Sequence, residues 1–244
     1  MNPFMTHIVA GYPNIETSKQ MLEFMIAEKV SAIEIQIPFS DPSADGPILM
    51  RANEHAVNHG NGRNQVLELI ESVDFKDTTC LIMCYYQSLF YSDTADFIRQ
   101  AIDKGCDGFI VPDLPFDSLD MHSLIADNPD LKTRIIPVVS PGISRERLNL
   151  LSQTLAPEII YLTARPGTTG LDTAFSDSLR RTSKEINQAF PDAKLAIGFG
   201  IKSSADARQV LAIADLAVVG SVLTEAITES EDKFHKVLSN LFSA

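Results

Sequence analysis

Residues 33–47, IEIQIPFSDPSADGP, begin as an apolar strand and end as a loop that is rich in acid and proline. This stretch of fifteen residues holds three prolines and three carboxylates, Glu34, Asp41 and Asp45. Side chains alternate between the faces of a strand, so if the three isoleucines pack outward, Glu34 points to the opposite face. Because burying a glutamate is costly unless it is paired or titrates, this position needs a chemical reason.

Similar short apolar runs recur along the whole chain. They are rich in Val, Ile and Leu with little alternation, which is typical of parallel strands buried on both faces. The runs cover residues 6–10, 32–37, 80–84, 108–112, 134–139, 159–163, 194–199 and 216–220. Amphipathic stretches separate them, and their predicted N-caps are Asn14 or Thr17, Ser92 and Ser144.

Eight strands that alternate with helices, without a Gly/Ser linker or a change in composition, indicate the α/β class. We therefore predict a single (β/α)8 TIM barrel, with residues 1–244 as one domain. A doubly wound sheet is the alternative, but AGYP follows the first strand where that fold carries GxGxxG. In a TIM barrel, the active-site residues lie at the C-terminal ends of the strands and in the loops that follow.

Composition narrows the classes of function. The net charge of −12 argues against a nucleic-acid partner. No apolar run reaches the roughly 18 residues of a membrane span, and the N-terminus lacks a signal pattern, so we expect a soluble, cytoplasmic protein with no membrane contact. The cysteines have apolar neighbours and are expected to be reduced, buried thiols; they are Cys80, Cys84 and Cys106.

A second acid follows the strand that carries Glu34. The loop PFSDPSADGP is too polar and too stiffened by proline for a simple β–α connection, and Asp45 lies near the start of the next helix. Two acids in unlike settings, one desolvated and one solvated, can form an acid/base pair. The alternative is a Glu34 that points outward to an Arg or Lys on a helix, because structural ion pairs also use such residues.

Glycine-bearing turns follow the last three strands, at residues 166–170, 198–200 and 220–221. TIM barrels often bind phosphate with the loops after strands 7 and 8 and a short helix N-terminus. Backbone N–H groups can bind phosphate without a lysine, which suits an acidic chain. We therefore predict a phosphate site at these turns.

The sequence lacks the residues that two other kinds of catalysis, by a Schiff-base lysine or by a metal ion, would need. A Schiff-base lysine would lie at the C-terminal end of a strand, but Lys194 begins its strand. His55 and His59 are four apart on a predicted helix, but no Glu follows His55 as HExxH requires, so we expect no metal. His7 is a candidate for the barrel interior. Carboxylate acid/base catalysis on a phosphorylated substrate remains.

The motifs THIVAGYP, IEIQIPFSDPSADGP, GFIVPDLP, RPGTTG, GFGI and VVGS, in this order, resemble the α subunit of tryptophan synthase over almost the whole chain. The resemblance implies a carbon–carbon lyase of tryptophan biosynthesis, which cleaves indole-3-glycerol phosphate to indole and glyceraldehyde 3-phosphate. It implies no cofactor in this chain. The implied partner is a pyridoxal-phosphate β subunit that receives the indole in an allosterically coupled α2β2 heterotetramer.

The resemblance also assigns residues. Glu34 matches the acid/base glutamate of the family, Asp45 its second catalytic aspartate, and Tyr161 the tyrosine near the reacting carbons. Asp113, in VPDLP, matches an aspartate at a strand end that supports the site.

The phosphate-binding main chain is expected at four positions, which are Gly170, Gly200, Gly220 and Ser221. Asp41 and Arg165 lie in the two loops that, in the family, close the site and signal to the β subunit.

The chain departs from the family pattern beside the acid. Gln36 stands where glycine is usual, two residues beyond Glu34 and so on the same face. It could occupy substrate volume or hydrogen-bond Glu34. Gln87 replaces a usual Asn, and Pro166 changes the mobile loop of the family. These changes leave open a weakly active or inactive α chain that is kept to activate the β subunit. Sugar-phosphate isomerases and epimerases share the phosphate turns but lack the PFSDPxADGP loop.

Overall fold

The computed structural model describes residues 1–89, 93–116, 118–163, 173–198 and 200–242, without the side chains of residues 119–121 and 173–176. The strands in this part of the chain are β1 (Asn2–Val9), β2 (Val30–Gln36), β3 (Thr79–Met83), β4 (Gly108–Ile110), β5 (Ile135–Ile136), β6 (Val138–Val139), β7 (Ile159–Thr163), β8 (Lys194–Gly198) and β9 (Leu216–Val219). The helices are α1 (Ile15–Ala27), α2 (Pro47–Asn58), α3 (Arg63–Glu71), α4 (Tyr86–Leu89), α5 (Thr94–Asp103), α6 (Leu119–Asp127), α7 (Leu131–Arg134), α8 (Arg145–Thr154), α9 (Thr173–Ala189), α10 (Ser204–Leu211), α11 (Ser221–Glu229) and α12 (Glu231–Phe242).

The strands form one parallel sheet in the order β5-β4-β3-β2-β1-β9-β8-β7-β6. Its two edges, β5 and β6, are consecutive pieces of the predicted strand 134–139, separated only by Pro137. Proline has no N–H to give to a ladder, so the strand divides there: β5 pairs with β4, and β6 pairs with β7. The carbonyl of Pro137 accepts the N–H of Tyr161, at 3.0 Å. The sheet therefore curls into a barrel surrounded by helices, and the predicted TIM barrel is confirmed.

The predicted capping residues of two helices are confirmed. Asn14 Oδ1 accepts the N–H of Thr17 at 2.9 Å, and Ser144 Oγ accepts the N–H of Arg147 at 3.2 Å. The third, Ser92, lies outside the described residues. Among the described residues, no helix is both long and apolar enough to cross a membrane.

Two apolar layers fix the direction of the side chains on β2. Ile33, Ile35 and Ile37 are buried in the layer between the barrel and its helices, whereas Ala32 belongs to the cluster that fills the barrel. Glu34 has the same parity as Ala32 and therefore points inward. The alternative of an outward Glu34 is wrong. The cysteines are free and buried, as predicted.

Side chains in the apolar layer between the barrel and its helices should contribute more to stability than side chains on the exposed faces of the helices. Ile35 has 0% of its surface exposed, so Ile35→Ala should lower the free energy of unfolding by about 2–5 kcal/mol. Ile15, at the start of α1, is 40% exposed, and Ile15→Ala should change it by no more than about 0.5 kcal/mol. Urea denaturation of both variants measures the two effects, and equal losses would contradict this layering.

Candidate active site

The site begins with a buried pair at the C-terminal ends of β1 and β2. The parallel register pairs His7 with Glu34, and both side chains face the barrel interior. They are 5% and 4% exposed, and His7 Nδ1 lies 3.3 Å from Glu34 Oε2. Apart from this contact, Glu34 Oε2 has no hydrogen-bond partner among the described residues. A buried carboxylate oxygen without such a partner is unusual in a folded protein and makes Glu34 a candidate for the reacting group.

Asp45 is held at the mouth of the barrel by neutral donors. Gln36 Nε2 donates to Asp45 Oδ2 at 2.7 Å, and the hydroxyl of Tyr85 donates to the same oxygen at 3.1 Å. The Tyr85 hydroxyl also accepts the N–H of Ala44, at 3.0 Å. Asp45 is partly exposed while Glu34 is buried, so the two acids do occupy unlike settings.

Asn53, on the inner face of α2, anchors the loop between β2 and α2. Its Oδ1 accepts the N–H of Phe39 at 3.0 Å, and its Nδ2 donates to the carbonyl of Leu49 at 2.9 Å. At the other end of the loop, Pro47 occupies the first turn of α2, where a missing N–H costs nothing. The loop that carries Asp45 is therefore tied to the helix at both ends.

Gln36 links the two acids. The sequence left open a hydrogen bond from Gln36 to Glu34, but the Gln36 side chain bonds to three other residues. Gln36 Oε1 lies 3.0 Å from His7 Nε2 and 3.2 Å from Asn53 Nδ2, while Nε2 binds Asp45. The bond to Asp45 and the contact with His7 place Gln36 between the two acids, with His7 as the link to Glu34.

The carboxylates shift the pKa values of their neighbours. Burial alone would lower the pKa of His7, but the charge of Glu34, the contact with it and the charge of Asp45 raise the pKa above its usual 6.5. Burial raises the pKa of the Tyr161 hydroxyl well above 10, and Glu34 and Asp45 add to the rise. Burial and Asp45 raise the pKa of Tyr85 as well. Both tyrosines therefore keep their protons at neutral pH.

Tyr161 reaches this interior because β8 makes room for it. A Cβ added at Gly198 would lie 2.5 Å from the Tyr161 hydroxyl oxygen. Since real side chains do not approach so closely, only glycine at this position allows the observed place of the phenol.

One of the turns predicted to bind phosphate lies next to the acids, because it packs against His7. Gly220 follows β9 and precedes α11, which begins at Ser221. A Cβ added at Gly220 would lie 3.1 Å from the Cβ of His7, so the start of α11 lies against His7. A helix N-terminus carries a partial positive charge that favours anions. Gly200 is exposed with φ +60°, and Gly170 lies outside the described residues.

The remaining predicted residues lie around this centre. Asp113 Oδ1 accepts the N–H of Tyr86 at 2.7 Å, which ties the turn after β4 to the segment that carries Tyr85. Asp41 is exposed on the loop after β2. Arg165 lies outside the described residues.

Two cavities of the described chain lie away from the acids. One, of about 430 Å³, is lined by residues of the β2–α2 loop and α2, such as Met50 and Glu54. The other, of about 380 Å³, lies at the N-terminal ends of β3, β4 and β7 and is lined by residues such as Asp107 and Arg134. Neither is lined by Glu34 or Asp45, so the polar groups at the C-terminal ends of the strands mark the site.

Sequence reasoning missed three members of the network, Tyr85, Asn53 and the pairing of His7 with Glu34. The signal for His7 was its inward position on β1, but only the register between β1 and β2 shows which side chain it meets. Tyr85 and Asn53 lie 40 and 8 residues from Asp45 in the chain. No local pattern connects them.

Fold and site together define a class: a TIM barrel that carries two carboxyl groups, those of Glu34 and Asp45, on the C-terminal side of its strands. The family model described as "Tryptophan synthase alpha chain" matches residues 1–243. The tryptophan synthase alpha chain of Desulforapulum autotrophicum is 37% identical over 91% of this chain and 87% of that relative. That of Petrotoga mobilis is 33% identical over 97% and 91%. The structure of tryptophan synthase subunit alpha from Campylobacter jejuni has a TM-score of 0.84 at 26% identity, over 98% of this chain and 95% of the other.

The chain belongs to the tryptophan synthase alpha chain family, and the resemblance seen in its motifs is confirmed. Membership indicates a lyase-type role in tryptophan biosynthesis. The relatives favour this function over that of an inactive activator.

The raised pKa of His7 predicts how stability depends on pH. A group whose pKa is higher in the folded state stabilises the protein fully below its unfolded pKa, about 6.5, and loses this effect as the pH rises through the folded pKa. The free energy of unfolding of the parent relative to His7→Phe should therefore be larger at pH 6 than at pH 9. Urea denaturation at both pH values tests this, and a difference that is constant or grows with pH would contradict the shift.

Proposed function

We propose that this chain cleaves indole-3-glycerol phosphate to indole and glyceraldehyde 3-phosphate, with Glu34 as acid and base. One observation carries the proposal: Glu34 is 4% exposed at the end of β2, and its Oε2 has no hydrogen-bond partner among the described residues. A charge buried in this way is expensive unless a ligand or a proton completes it. A base with a fixed position and low solvation is what proton transfer from a substrate hydroxyl needs.

The retro-aldol reaction uses both acids. Cleavage needs a base for the substrate hydroxyl and an acid that protonates the indole carbon as it leaves, and one carboxyl can serve both steps in turn. Protonation of that carbon develops positive charge on the indole nitrogen. Asp45, held as a carboxylate acceptor by Gln36 and Tyr85, can stabilise this charge without reorganising. Tyr161 contributes a protonated hydroxyl near both acids.

The substrate phosphate is assigned to the main chain of Gly170, Gly200, Gly220 and Ser221. The start of α11 supports this assignment, since its dipole favours an anion and Gly220 lies against His7. A chain of net charge −12 cannot attract a phosphate by its overall field. Local backbone N–H groups can bind the phosphate in spite of this net charge.

The proposed partner is a β subunit that carries pyridoxal phosphate, in an α2β2 assembly, and this chain itself needs no cofactor. The description of the family as an alpha chain supports a second chain. Asp41 and Arg165 are assigned to loop closure and to signalling to that subunit, and the exposure of Asp41 suits such a role. Residues 1–244 are proposed to act as one domain in the cytoplasm.

The role of Glu34 is tested by Glu34→Gln, which keeps the shape of the side chain but removes the base. General acid/base catalysis contributes about 10²–10⁴-fold, so kcat for glyceraldehyde 3-phosphate release should fall at least about 100-fold. The exposed Glu23 supplies a matched control, and Glu23→Gln should retain the parent rate. Cleavage that persists in Glu34→Gln would remove Glu34 from the chemistry.

The phosphate assignment is tested at Gly200, with two variants of equal shape. Asn and Asp both tolerate positive φ, so Gly200→Asn controls for the backbone while Gly200→Asp adds a negative charge. Repulsion should raise KM about tenfold more in the Asp variant than in the Asn variant, with little change in kcat, since the phosphate is remote from the reacting bond. Equal KM values for both variants would place the phosphate elsewhere.

A further inference from the structure

The orientation of the Gln36 amide is fixed by its partners. An ionised carboxylate can only accept, so the group of Gln36 that lies 2.7 Å from Asp45 Oδ2 is the amino group Nε2. The carbonyl oxygen Oε1 then faces Asn53 Nδ2 at 3.2 Å and His7 Nε2 at 3.0 Å.

Asn53 confirms this orientation independently. Its Oδ1 accepts a backbone N–H, from Phe39, and its Nδ2 donates to a backbone carbonyl, of Leu49. Because neither backbone group can reverse its role, Asn53 presents a donor to Gln36 Oε1. Gln36 Oε1 is therefore an acceptor, and His7 must carry a proton on Nε2 to bind it.

This proton on Nε2 has a consequence on the other side of the ring. A neutral imidazole that is protonated at Nε2 presents a lone pair at Nδ1. Nδ1 faces Glu34 Oε2 at 3.3 Å, with both side chains almost fully buried. Two lone pairs at this distance repel each other, whereas one proton, held by either atom, turns the contact into an attraction.

We propose that His7 and Glu34 form a pair that shares one proton, with Gln36 as the residue that sets the tautomer of His7. His7 is a positioning residue that acts on the reaction through Glu34. The raised pKa of His7 agrees with this arrangement. This inference rests on the proposed function only for its catalytic consequence.

A one-proton pair fits the proton balance of the cleavage. Carbon 3 of the indole ring takes up one proton from the pair, and the substrate hydroxyl then returns one to it. The electron pair of the broken carbon–carbon bond restores the C2–C3 double bond of the ring, and the hydroxyl oxygen forms the aldehyde carbonyl. The pair ends with one proton, as it began, and no other reactant is needed.

The groups that face the pair set its pH range. Glu34 comes from β2 and Asp45 from the β2–α2 loop, while Tyr161 on β7 and Tyr85 after β3 remain protonated beside these acids. The β9–α11 side presents Gly220, which has no charge. A pair held among these groups keeps its proton to a higher pH than a carboxyl alone would.

The first test uses the substrate-free protein. In ¹⁵N-histidine NMR, with His7→Phe to assign the signal among five histidines, His7 should be protonated at Nε2 in its neutral form. Glu34→Gln should lower its titration midpoint by at least about one pH unit. Gln36→Leu removes the acceptor and should move the neutral proton to Nδ1. A neutral ring in the parent that carries its proton on Nδ1 and not on Nε2, or a midpoint unchanged in Glu34→Gln, would overturn the pair.

The second test asks whether the pair acts in catalysis. In His7→Phe, the alkaline limb of the kcat profile should move to lower pH by at least about one unit, with KM within about threefold of the parent. His122, exposed on α6, gives the matched control His122→Phe, which should leave the profile in place. A lower rate with an unshifted profile would reduce His7 to a structural role.

The two tests separate the pair from the proposed function. If the parent releases no glyceraldehyde 3-phosphate, the proposed function fails, while the NMR result still decides whether the pair exists. If the parent cleaves but the neutral ring carries its proton on Nδ1 and not on Nε2, the pair fails alone.

Discussion

The alternation of β2 is the constraint on which the site depends. Three isoleucines on one side of this segment are enclosed between barrel and helices, and turning the strand over would move them into the polar mouth of the barrel and place Glu34 and Gln36 against the helices. Each such side chain stabilises the fold by roughly 1.5–3 kcal/mol when buried, which is enough to hold two polar residues inside. Glu34 and Gln36 therefore face inward because the isoleucines face outward.

The barrel interior then has to supply polar partners for the side chains that β2 and its following loop place there. Gln36, Asn53 and Tyr85 hold Asp45 from three elements, and His7 accompanies Glu34 from the neighbouring strand. The donors to Asp45 in this set are neutral amides and a hydroxyl, and no lysine or arginine among the described residues belongs to the set. Networks of this kind are rigid when their members are satisfied, and rigid placement of charge is the basis of electrostatic catalysis.

Much of the fold followed from the sequence, since parallel strands buried on both faces leave long apolar runs and β–α alternation permits few topologies. From the sequence, residues 134–139 were predicted to form one strand, and its division at Pro137 was missed, although a proline inside a central strand is a sign of such a division. The inward Glu34 and the loop that carries Asp45 followed from strand alternation and composition. The partners of the acids did not, because strand register and helix packing bring together residues far apart in the chain. Gln36 shows this best: its position was clear from the sequence, but its partners were not.

We infer that this barrel breaks a carbon–carbon bond with its own carboxyl groups. The test is release of glyceraldehyde 3-phosphate from indole-3-glycerol phosphate, measured on the unmodified chain with and without a tryptophan synthase β subunit. We expect release by the chain alone and faster release with the partner. No release in either sample, together with faster conversion of indole and serine to tryptophan, would contradict it and leave an activator that keeps the barrel and its acids without the reaction.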